Sequence, residues 1–379
     1  MQLLIAGDLV PTKSNIHLFN SAEINKLLGE DLLNVWEEAD ERIINLEAPI
    51  TDIDEPILKF GPNLRIPSSA ISGIVALKPS LFALANNHIL DQGSKGLEST
   101  IDILNKNNIS YVGVGNNLKE SSRGKIIEKN NIKIGIYNCA ENEFTIATDN
   151  ESGANPFDPL ESLTHIKELK EVCNYVIVLY HGGKEEYRYP SPYLQKICRK
   201  IVESGSDLVI CQHSHCIGCF EEYNKSTIIY GQGNFIFDDC DNEFWKTSLL
   251  VRLVIEDNLK IEYIPIIKDK NVIRLAQGSE KNEIMRSFIK RSKEITSINF
   301  VQDKYNEYAK EKKDSYLRNF SDLNKWILRI DRYLLKGKLL NYKYNYKKFL
   351  MLQNYIECEA HRELILTFLK EKNSNKKIY

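Results

Sequence analysis

Over the first 270 residues, short apolar runs alternate with stretches of helical periodicity, and the apolar runs stop at polar clusters. QLLIA (residues 2–6) ends at Gly7-Asp8. ERIINLE (41–47) carries Ile43 and Ile44 into Asn45 and Glu47, and PSLFALANNH (79–88) ends at Asn86, Asn87 and His88. Apolar runs of this length, bounded by turn residues, predict strands. Leu97, Ile101 and Leu104 fall at helical spacing and predict a helix over 94–107. YVGVG (111–115) predicts another strand, and GKIIEKNNIKIGIYN (124–138) predicts a hairpin turning at Asn130-Asn131. After a Gly/Asn/Pro loop at 150–157, the pattern predicts a helix near 158–172 and the strand YVIVLYHGG (175–183). A helix from about Pro192 to Ser204 and the strand DLVICQHSH (207–215) follow. STIIYGQGNFIFDD (226–239) closes the alternating series, and SLLVRLVIEDNLKIEYIPII (248–267) predicts a second hairpin.

This alternation predicts an α/β fold in which every chemically able cluster lies just past the C-terminal end of a strand. Ligands bind there in α/β sheets, because loops from neighbouring strands converge. From about residue 280 the pattern changes, with no Gly between 279 and 336 and no Pro after 265. NEIMRSFIKRSKEI, LNKWILRIDRYLL and ECEAHRELILTFLKEK place apolar residues at three- and four-residue steps, which predicts helices. The expected organisation is therefore an α/β domain over 1–275 and a helical extension over 280–379, packed on the core or used for assembly.

Composition adds little to this picture: 27 % charged and 42 % hydrophobic residues are ordinary for a globular chain of 379 residues. A formal net charge of −2 gives no global pull toward nucleic acid, although the stretch from Lys290 to Lys377 is locally rich in Lys, Arg and Tyr. The N-terminal apolar run is too short for a signal sequence and lacks a basic lead. No stretch approaches the ~20 apolar residues of a membrane span. The expectation is a cytoplasmic protein whose eight cysteines are reduced thiols.

Asp8, Asn45 with Glu47, Asn87 with His88, His181, and His213 with His215 come from five strand ends. Mixed oxygen and imidazole donors suit Mn, Fe or Zn better than Ca or Mg alone. On extended backbone an H-x-H pair points both rings to one side, so His213 and His215 could serve one metal or two close together. Two metals ~3.5–4 Å apart would clamp a phosphoryl group and activate a water. Taken singly, each residue has an ordinary role: Asp8 as a cap, ANNH as an Asn-rich turn, Asp91 and Gly93 as helix-start chemistry. What favours a metal site is the joint pattern, with four of the seven histidines at these strand ends. CQHSHCIGC (211–219) also offers Cys211, Cys216 and Cys219 to a structural zinc, with Cys240 as a fourth candidate. No partner CxxC occurs elsewhere. Cys211, one residue ahead of Gln212, is expected to point into the core, and the cysteines read as buried small hydrophobes.

With these residues assembled, the sequence resembles the poly-γ-glutamate capsule synthesis CapA family, within the calcineurin-like metallophosphoesterase superfamily. The matching stretches are AGDLVPT (6–12), NLEAPIT (45–51), LKFGPNLRIP (58–67), ALANNHILDQG (83–93), YHGGKEEY (180–187), CQHSHCIGCFE (211–221) and IIYGQGNFIFD (228–238). They stand in family order over about the first two-thirds of the chain. The resemblance implies a β-sandwich flanked by helices, with one or two divalent metals (Mn, Fe or Zn) at its C-terminal edge. It implies Asp8 and His215 as ligands of a first metal, Asn87, His181 and His213 of a second, and Glu47 where many members have a bridging Asp. His88 matches the histidine that aids the leaving oxygen, with Asp91 orienting it. Glu185 and Tyr187 would line the pocket, Lys59 and Arg65 would hold an anionic group, and Asn45 and Asn234 would support the ligands. Two positions depart from the superfamily: Val10 stands where its first motif has a histidine, and Glu47 occurs without GDxxD.

The resemblance thus implies a metal-dependent hydrolase acting on an anionic small-molecule or polymer substrate, by way of a phosphoester, in capsule or cell-surface polymer synthesis. The alternative is a non-catalytic assembly component that binds metal or polymer, with capsule-synthesis proteins docking on the C-terminal helices. The family's name also suggests a γ-glutamyl amide ligase or hydrolase; ligation by this chain alone is disfavoured, because no G-x-x-x-x-G-K-[ST] loop is present to hold ATP.

Overall fold

The computed structural model describes residues 1–237 and 242–375, with side chains through residue 370. Cys240, the fourth zinc candidate, and the end of the stretch closing at Asp239 lie outside the described residues. The chain divides into two units, Met1–Val301 and Gln302–Tyr379.

The strands of the first unit's leading half are β1 (Gln2–Leu9), β2 (Glu41–Leu46), β3 (Leu81–Ala83), β4 (Ser110–Val112), β5 (Val114–Gly115), β6 (Lys125–Lys129), β7 (Ile132–Ala140) and β8 (Gly153–Ala154). Those that follow are β9 (Tyr175–His181), β10 (Leu208–Gln212), β11 (Phe220–Tyr223), β12 (Ser226–Tyr230), β13 (Thr247–Ile255), β14 (Leu259–Asp269) and β15 (Val272–Leu275). Among the described residues they form a seven-stranded sheet, ordered β15-β14-β13-β1-β2-β3-β4, and a six-stranded sheet, ordered β11-β12-β10-β9-β7-β6. The first runs parallel from β1 to β4, and the second runs parallel through β7, β9, β10 and β12. β5 and β8 make a separate antiparallel pair.

The helices of this unit are α1 (Ile16–Asn20), α2 (Ile24–Leu27), α3 (Glu30–Glu37), α4 (Ile71–Ala76), α5 (Gly93–Lys106), α6 (Leu118–Ser121), α7 (Ser162–Val172), α8 (Pro192–Glu203) and α9 (Gly278–Glu294). Alternate residues of each strand face opposite ways, and this sorts the core into layers. Leu3, Ile5, Ile43 and Leu81 of one sheet meet Ile136, Ile177, Leu179 and Ile210 of the other, forming the seam between sheets. Leu4, Ile44 and Phe82 turn outward to Phe19, Trp36, Leu97 and Leu104 of the helices. On the far side Val176, Val178 and Val209 meet Ile166, Ile197 and Ile201 of α7 and α8. The result is a mixed α/β sandwich of two sheets between two helical layers, as expected. Strands buried on both faces need continuous apolar runs, which is why those runs were legible in the sequence.

Both predicted hairpins form, and the first turns at Asn130 and Asn131 with φ of 52° and 63°. Such paired left-handed residues are the two-residue turn that matches strand twist. The expected boundary at 275–280 differs from the observed division, because α9 stays with the first unit. Phe288 of α9 is fully buried against Phe220 and Tyr263, and Arg291 donates to the carbonyls of Gly218 (2.6 Å) and Ile217 (3.1 Å). The second unit is helical, as predicted. After α10 (Phe300–Phe320), which begins at the end of the first unit, come α11 (Lys325–Tyr333), α12 (Lys338–Lys343), α13 (Tyr346–Glu357) and α14 (Glu359–Asn375). Its small core gathers Leu317, Leu340 and Tyr344, with Leu328, Phe349 and Leu352 packed against them.

Candidate metal centre

Parallel register carries the polar strand ends to one edge. Asp8 pairs with Asn45 across β1 and β2, after a register shift between Ala6 and Asp8. A bulge of this kind re-aims the side chain that follows it. It sits where a Cβ on Gly7 would overlap the carbonyl of Gly233, so only glycine admits the approach. In the second sheet His181, the last residue of β9, pairs with Gln212, the last of β10. The seam between the sheets therefore brings Asp8, Asn45 and Glu47 up to His181, His213 and His215.

His213 and His215 do not lie on extended backbone. β10 ends at Gln212, and the two histidines adopt φ of 83° and 54°. This corrects the strand-parity expectation. The rings still converge, with centroids 6.0 Å apart, because each is turned inward by a left-handed residue rather than by alternation. Such conformations cost of order 1–3 kcal/mol per non-glycine residue and persist where the surroundings impose them.

Two sets of donors gather here: Asp8, Glu47 and His215, and Glu47, His181 and His213. Within each set the ligand-type atoms lie within 4.8 Å of one another, and Glu47 belongs to both. Around His181 Nε2 stand Asn87 Oδ1 at 3.0 Å, His213 Nδ1 at 3.2 Å and Glu47 Oε1 at 3.2 Å. In the other set His215 Nδ1 donates to Asn234 Oδ1 at 2.8 Å and lies 3.4 Å from Asp8 Oδ2. Asn45 donates to Asp8 Oδ1 at 2.6 Å and lies 3.3 Å from His181 Nδ1, so it braces one residue from each set.

Burial works against charge on these groups, and neighbours decide the outcome. His215 loses from burial but gains more from the charge of Glu47 and its contacts to Asp8 and Asn234, which raise it to about 10. Burial pushes Asp8 up, yet the bond and charge of His215, then His181 and Asn45, hold it below the usual carboxylate range. Burial, then the nearby His181 and His215, drive His213 well below an ordinary histidine. Glu47 is the anomaly. Its side chain is fully buried, and neither oxygen accepts a hydrogen bond. An uncompensated buried carboxylate costs several kcal/mol. The acid common to both donor sets is thus the one left unsatisfied, and a nitrogen-and-oxygen set of this composition fits a divalent cation such as Mn, Fe or Zn.

Beside this cluster, His88 Nδ1 sits 2.6 Å from Asp91 Oδ2, and the Asp91 carboxylate also accepts from the Leu64 backbone N–H at 2.6 Å. Lys59 turns inward to the same pair. Its ammonium forms an ion pair with Asp91 Oδ1, donates to the carbonyl of Asn87 at 3.2 Å and lies 3.2 Å from His88 Nδ1. Lys59, expected to face an anionic substrate, is built into the His88–Asp91 network. Arg65 is likewise engaged within its own loop, donating to the carbonyls of Asp52 and Ile53. Glu185, half-exposed, reaches to 3.9 Å from His213 Nε2. Tyr187 is buried and stacks edge-on with Tyr189, their centroids 6.1 Å apart.

Val10 is buried and bonds through its backbone N–H to the carbonyl of Ile236, so it adds no donor where the superfamily has a histidine. Cys211 points into the core as expected, its sulfur 3.6 Å from that of Cys198, and Cys216 and Cys219 are buried free thiols. No described cysteine belongs to either metal-capable group. Asn86, noted in the sequence only as part of a polar strand end, donates to Asn45 Oδ1 (3.3 Å) and to the carbonyl of Leu46 (2.8 Å), tying β3's end to β2's. Glu141, which sequence motifs did not single out, lines a small cleft with Asn87, His181 and His213 and accepts from the Gly183 N–H at 3.1 Å. Burial pushes the Glu141 carboxyl up. Its position directly after β7 was the available signal.

Comparison with known proteins bears on the same stretch. A family described as "Bacterial capsule synthesis protein PGA_cap" matches residues 2–239. The capsule biosynthesis protein CapA of Bacillus anthracis is 28 % identical over 262 residues, covering 65 % of this chain and 62 % of its own. The PGA biosynthesis protein CapA of Bacillus subtilis (strain 168) is 30 % identical over 158 residues, or 41 % of each chain. A probable polyglutamine synthesis accessory protein of Mycobacterium tuberculosis is 25 % identical over 273 residues, 66 % of this chain and 71 % of that one. The chain therefore spans less than two-thirds of the first two relatives. Among solved structures, a hypothetical protein from Thermus thermophilus aligns with a TM-score of 0.47 at 13 % identity, covering 71 % of this chain and all of that one. A 5'-nucleotidase precursor from the same organism aligns with a TM-score of 0.36 at 14 % identity, covering 76 % of this chain and 58 % of its own.

Proposed function

Because the chain belongs to the bacterial capsule synthesis protein family PGA_cap, we propose that it is a metal-dependent hydrolase of an anionic ester, a phosphoester above all, in capsule or cell-surface polymer synthesis. The observation that carries this reading is Glu47, a fully buried carboxylate without a hydrogen bond that belongs to both donor sets. In this reading Asp8 and His215 hold one divalent cation, Asn87, His181 and His213 hold a second, and Glu47 serves both. A cation pair there supplies Lewis acidity toward an anionic ester and a ready source of activated water. The chain's own residues supply the rest. Asn45 and Asn234 fix the orientation of Asp8 and His215 through the bonds described above. His88, anchored through Nδ1 by Asp91, has Nε2 left to meet the substrate and deliver a proton to the leaving oxygen. Lys59 neutralises Asp91 and holds that pair in place.

Two observations favour a second reading, an assembly component that binds metal or polymer without turnover. Lys59, a cation expected to grip substrate, is engaged inside the protein, Arg65 is tied at the surface to carbonyls of its own loop, and one relative's name calls it an accessory protein. Elemental analysis of protein purified without chelator, followed by a panel of phosphoesters, separates the two. Near-stoichiometric Mn, Fe or Zn that disappears in the His213→Ala, His215→Ala double variant, together with turnover in the wild type, supports the hydrolase. Metal without turnover on any phosphoester selects the assembly role. A wild type that takes up no metal even after reconstitution defeats the hydrolase and leaves an assembly component that binds polymer.

A further inference from the structure

In the second unit, α11 and the cap that follows it carry two stripes offset by one residue. Trp326, Ile330, Tyr333 and Leu334 recur at four-, three- and one-residue steps and share a face. They are exposed to 70 %, 50 %, 69 % and 75 %. Lys325, Arg329 and Arg332 repeat the same steps one position earlier, forming an exposed basic stripe along one border of the apolar one. The opposite side of the helix faces the unit's own core. Leu328 packs on the Leu317, Leu340 and Tyr344 cluster, and Asp331 is buried, accepting from the backbone N–H groups of Leu339 (2.9 Å) and Leu340 (3.3 Å). Residues 325–338 therefore hold five cations, Lys325, Arg329, Arg332, Lys336 and Lys338, against one acid, and that acid is turned inward.

A helix that already buries one face has no folding reason to leave Trp, Ile, Tyr and Leu in water on another. A polyanion would explain the cations but not the aliphatic side chains between them. An apolar stripe bordered by Lys and Arg suits the boundary of an anionic bilayer, where the aliphatics enter the acyl region and the cations meet headgroups. Tryptophan and tyrosine favour the same depth. We infer that α11 docks this unit on an anionic lipid surface as a peripheral element. Among the described residues no helix is long and apolar enough to cross a membrane, so this contact is interfacial. It is independent of the metal centre and of the hydrolase reading.

The test uses the full chain with vesicles of phosphatidylglycerol and phosphatidylcholine, against phosphatidylcholine alone and against soluble poly-γ-glutamate. The expected result is co-sedimentation with the anionic vesicles that weakens with salt, and a blue shift in tryptophan emission. Of the three tryptophans, Trp36 is buried and Trp245 half-buried in the first unit, so Trp326, 70 % exposed, is the indole best placed to report. Arg329→Gln with Arg332→Gln should weaken partitioning about 25-fold, at about fivefold per cation. Ile330→Asn with Leu334→Asn should weaken it at least about tenfold. All four positions are exposed, and thermal unfolding checks that each variant folds; either pair alone suffices as a test. Vesicle binding that survives a folded variant pair overturns the assignment to α11. Binding to poly-γ-glutamate without binding to vesicles, or to neither, overturns the inference.

Discussion

Glu47→Gln separates a site acid from a structural one. If Glu47 served the metal-free fold as half of a buried ion pair, removing its charge would cost about 3–5 kcal/mol. The geometry argues for a weak pair at most, since neither oxygen accepts a hydrogen bond, the side chain is fully buried, and its contact to His181 Nε2 at 3.2 Å is an ion pair only when that ring is protonated. The desolvation of that carboxylate, several kcal/mol, is met in the metal-free protein only by nearby imidazoles: His181 Nε2 lies 3.2 Å from Oε1, and the charge of Glu47 acts on His215. Glutamine of nearly equal volume removes both terms, so the melting temperature in chelator should rise or stay within a degree or two. With metal the outcome inverts. A ligand at a hundred times its dissociation constant stabilises by about 2.7 kcal/mol. In a domain of this size, at roughly 2 °C per kcal/mol, that is a rise of about 5 °C. Because Glu47 belongs to both donor sets, the variant should lose nearly all of that rise, and elemental analysis should find it close to metal-free. The assay is thermal unfolding of both proteins, in chelator and with Mn or Zn. A variant that melts far lower in chelator, or that keeps its metal and the full thermal rise, would refute the reasoning.

Three further outcomes follow from the same geometry. In the metal-free protein His215 is raised from 6.5 to about 10, so its stabilising contribution is complete below pH 6.5 and is lost as pH climbs through 10. His213 is depressed, so its contribution is complete above pH 6.5 and is lost as pH falls below that value. Thermal unfolding in chelator should therefore show losses on both sides, while metal affinity, which must displace the His215 proton, rises with pH by up to about tenfold per unit below 10. Asp91→Asn leaves the metal donors untouched and should preserve metal content while lowering kcat by about 10²–10⁴; an equal loss of metal would show that Asp91 supports the fold of the site instead. Gly7→Ala forces a Cβ into the carbonyl of Gly233, which should cost about 1–3 kcal/mol and reduce metal content by shifting Asp8; an unchanged melting point would contradict the close approach.

The edge of the sandwich was legible because strands buried on both faces must be nearly unbroken in apolar character, so their polar ends stand out. What was not legible depended on partners distant in sequence. Lys59 looked like a cation free for substrate, and nothing near it in sequence reveals that Asp91 takes its ammonium. α9 has the same helical pattern as the segments after it. Its place in the first unit is set by Phe288 and Arg291 meeting the β10–β11 region. The short helices α1 to α4, of four to eight residues each, offered too few turns for a period to appear. Arg188, unremarked in the sequence, also donates to the carbonyl of Ile217, at 3.0 Å.

The histidine pair is the most instructive case. Period-two reasoning predicted convergence, and convergence occurs, but through two left-handed residues that strand parity would not supply. Local preference alone would not keep that backbone, at roughly 1–3 kcal/mol for each residue. It is held from both sides: Asn234 and Asp8 engage the His215 ring, and the Glu186 N–H donates to the carbonyl of Ser214 at 2.9 Å. Just beyond, Arg188 and Arg291 fasten Ile217 and Gly218. Places where local rules fail and the surroundings compensate are where sites are expected. The strained residues are the same two that the chemistry of the cluster had singled out. The arginines behind them come from outside the histidine motif, and Arg291 comes from a helix beyond the span that matches the family. The region after residue 239 therefore helps hold the backbone that follows the histidine pair, a dependence that the motif alone does not disclose.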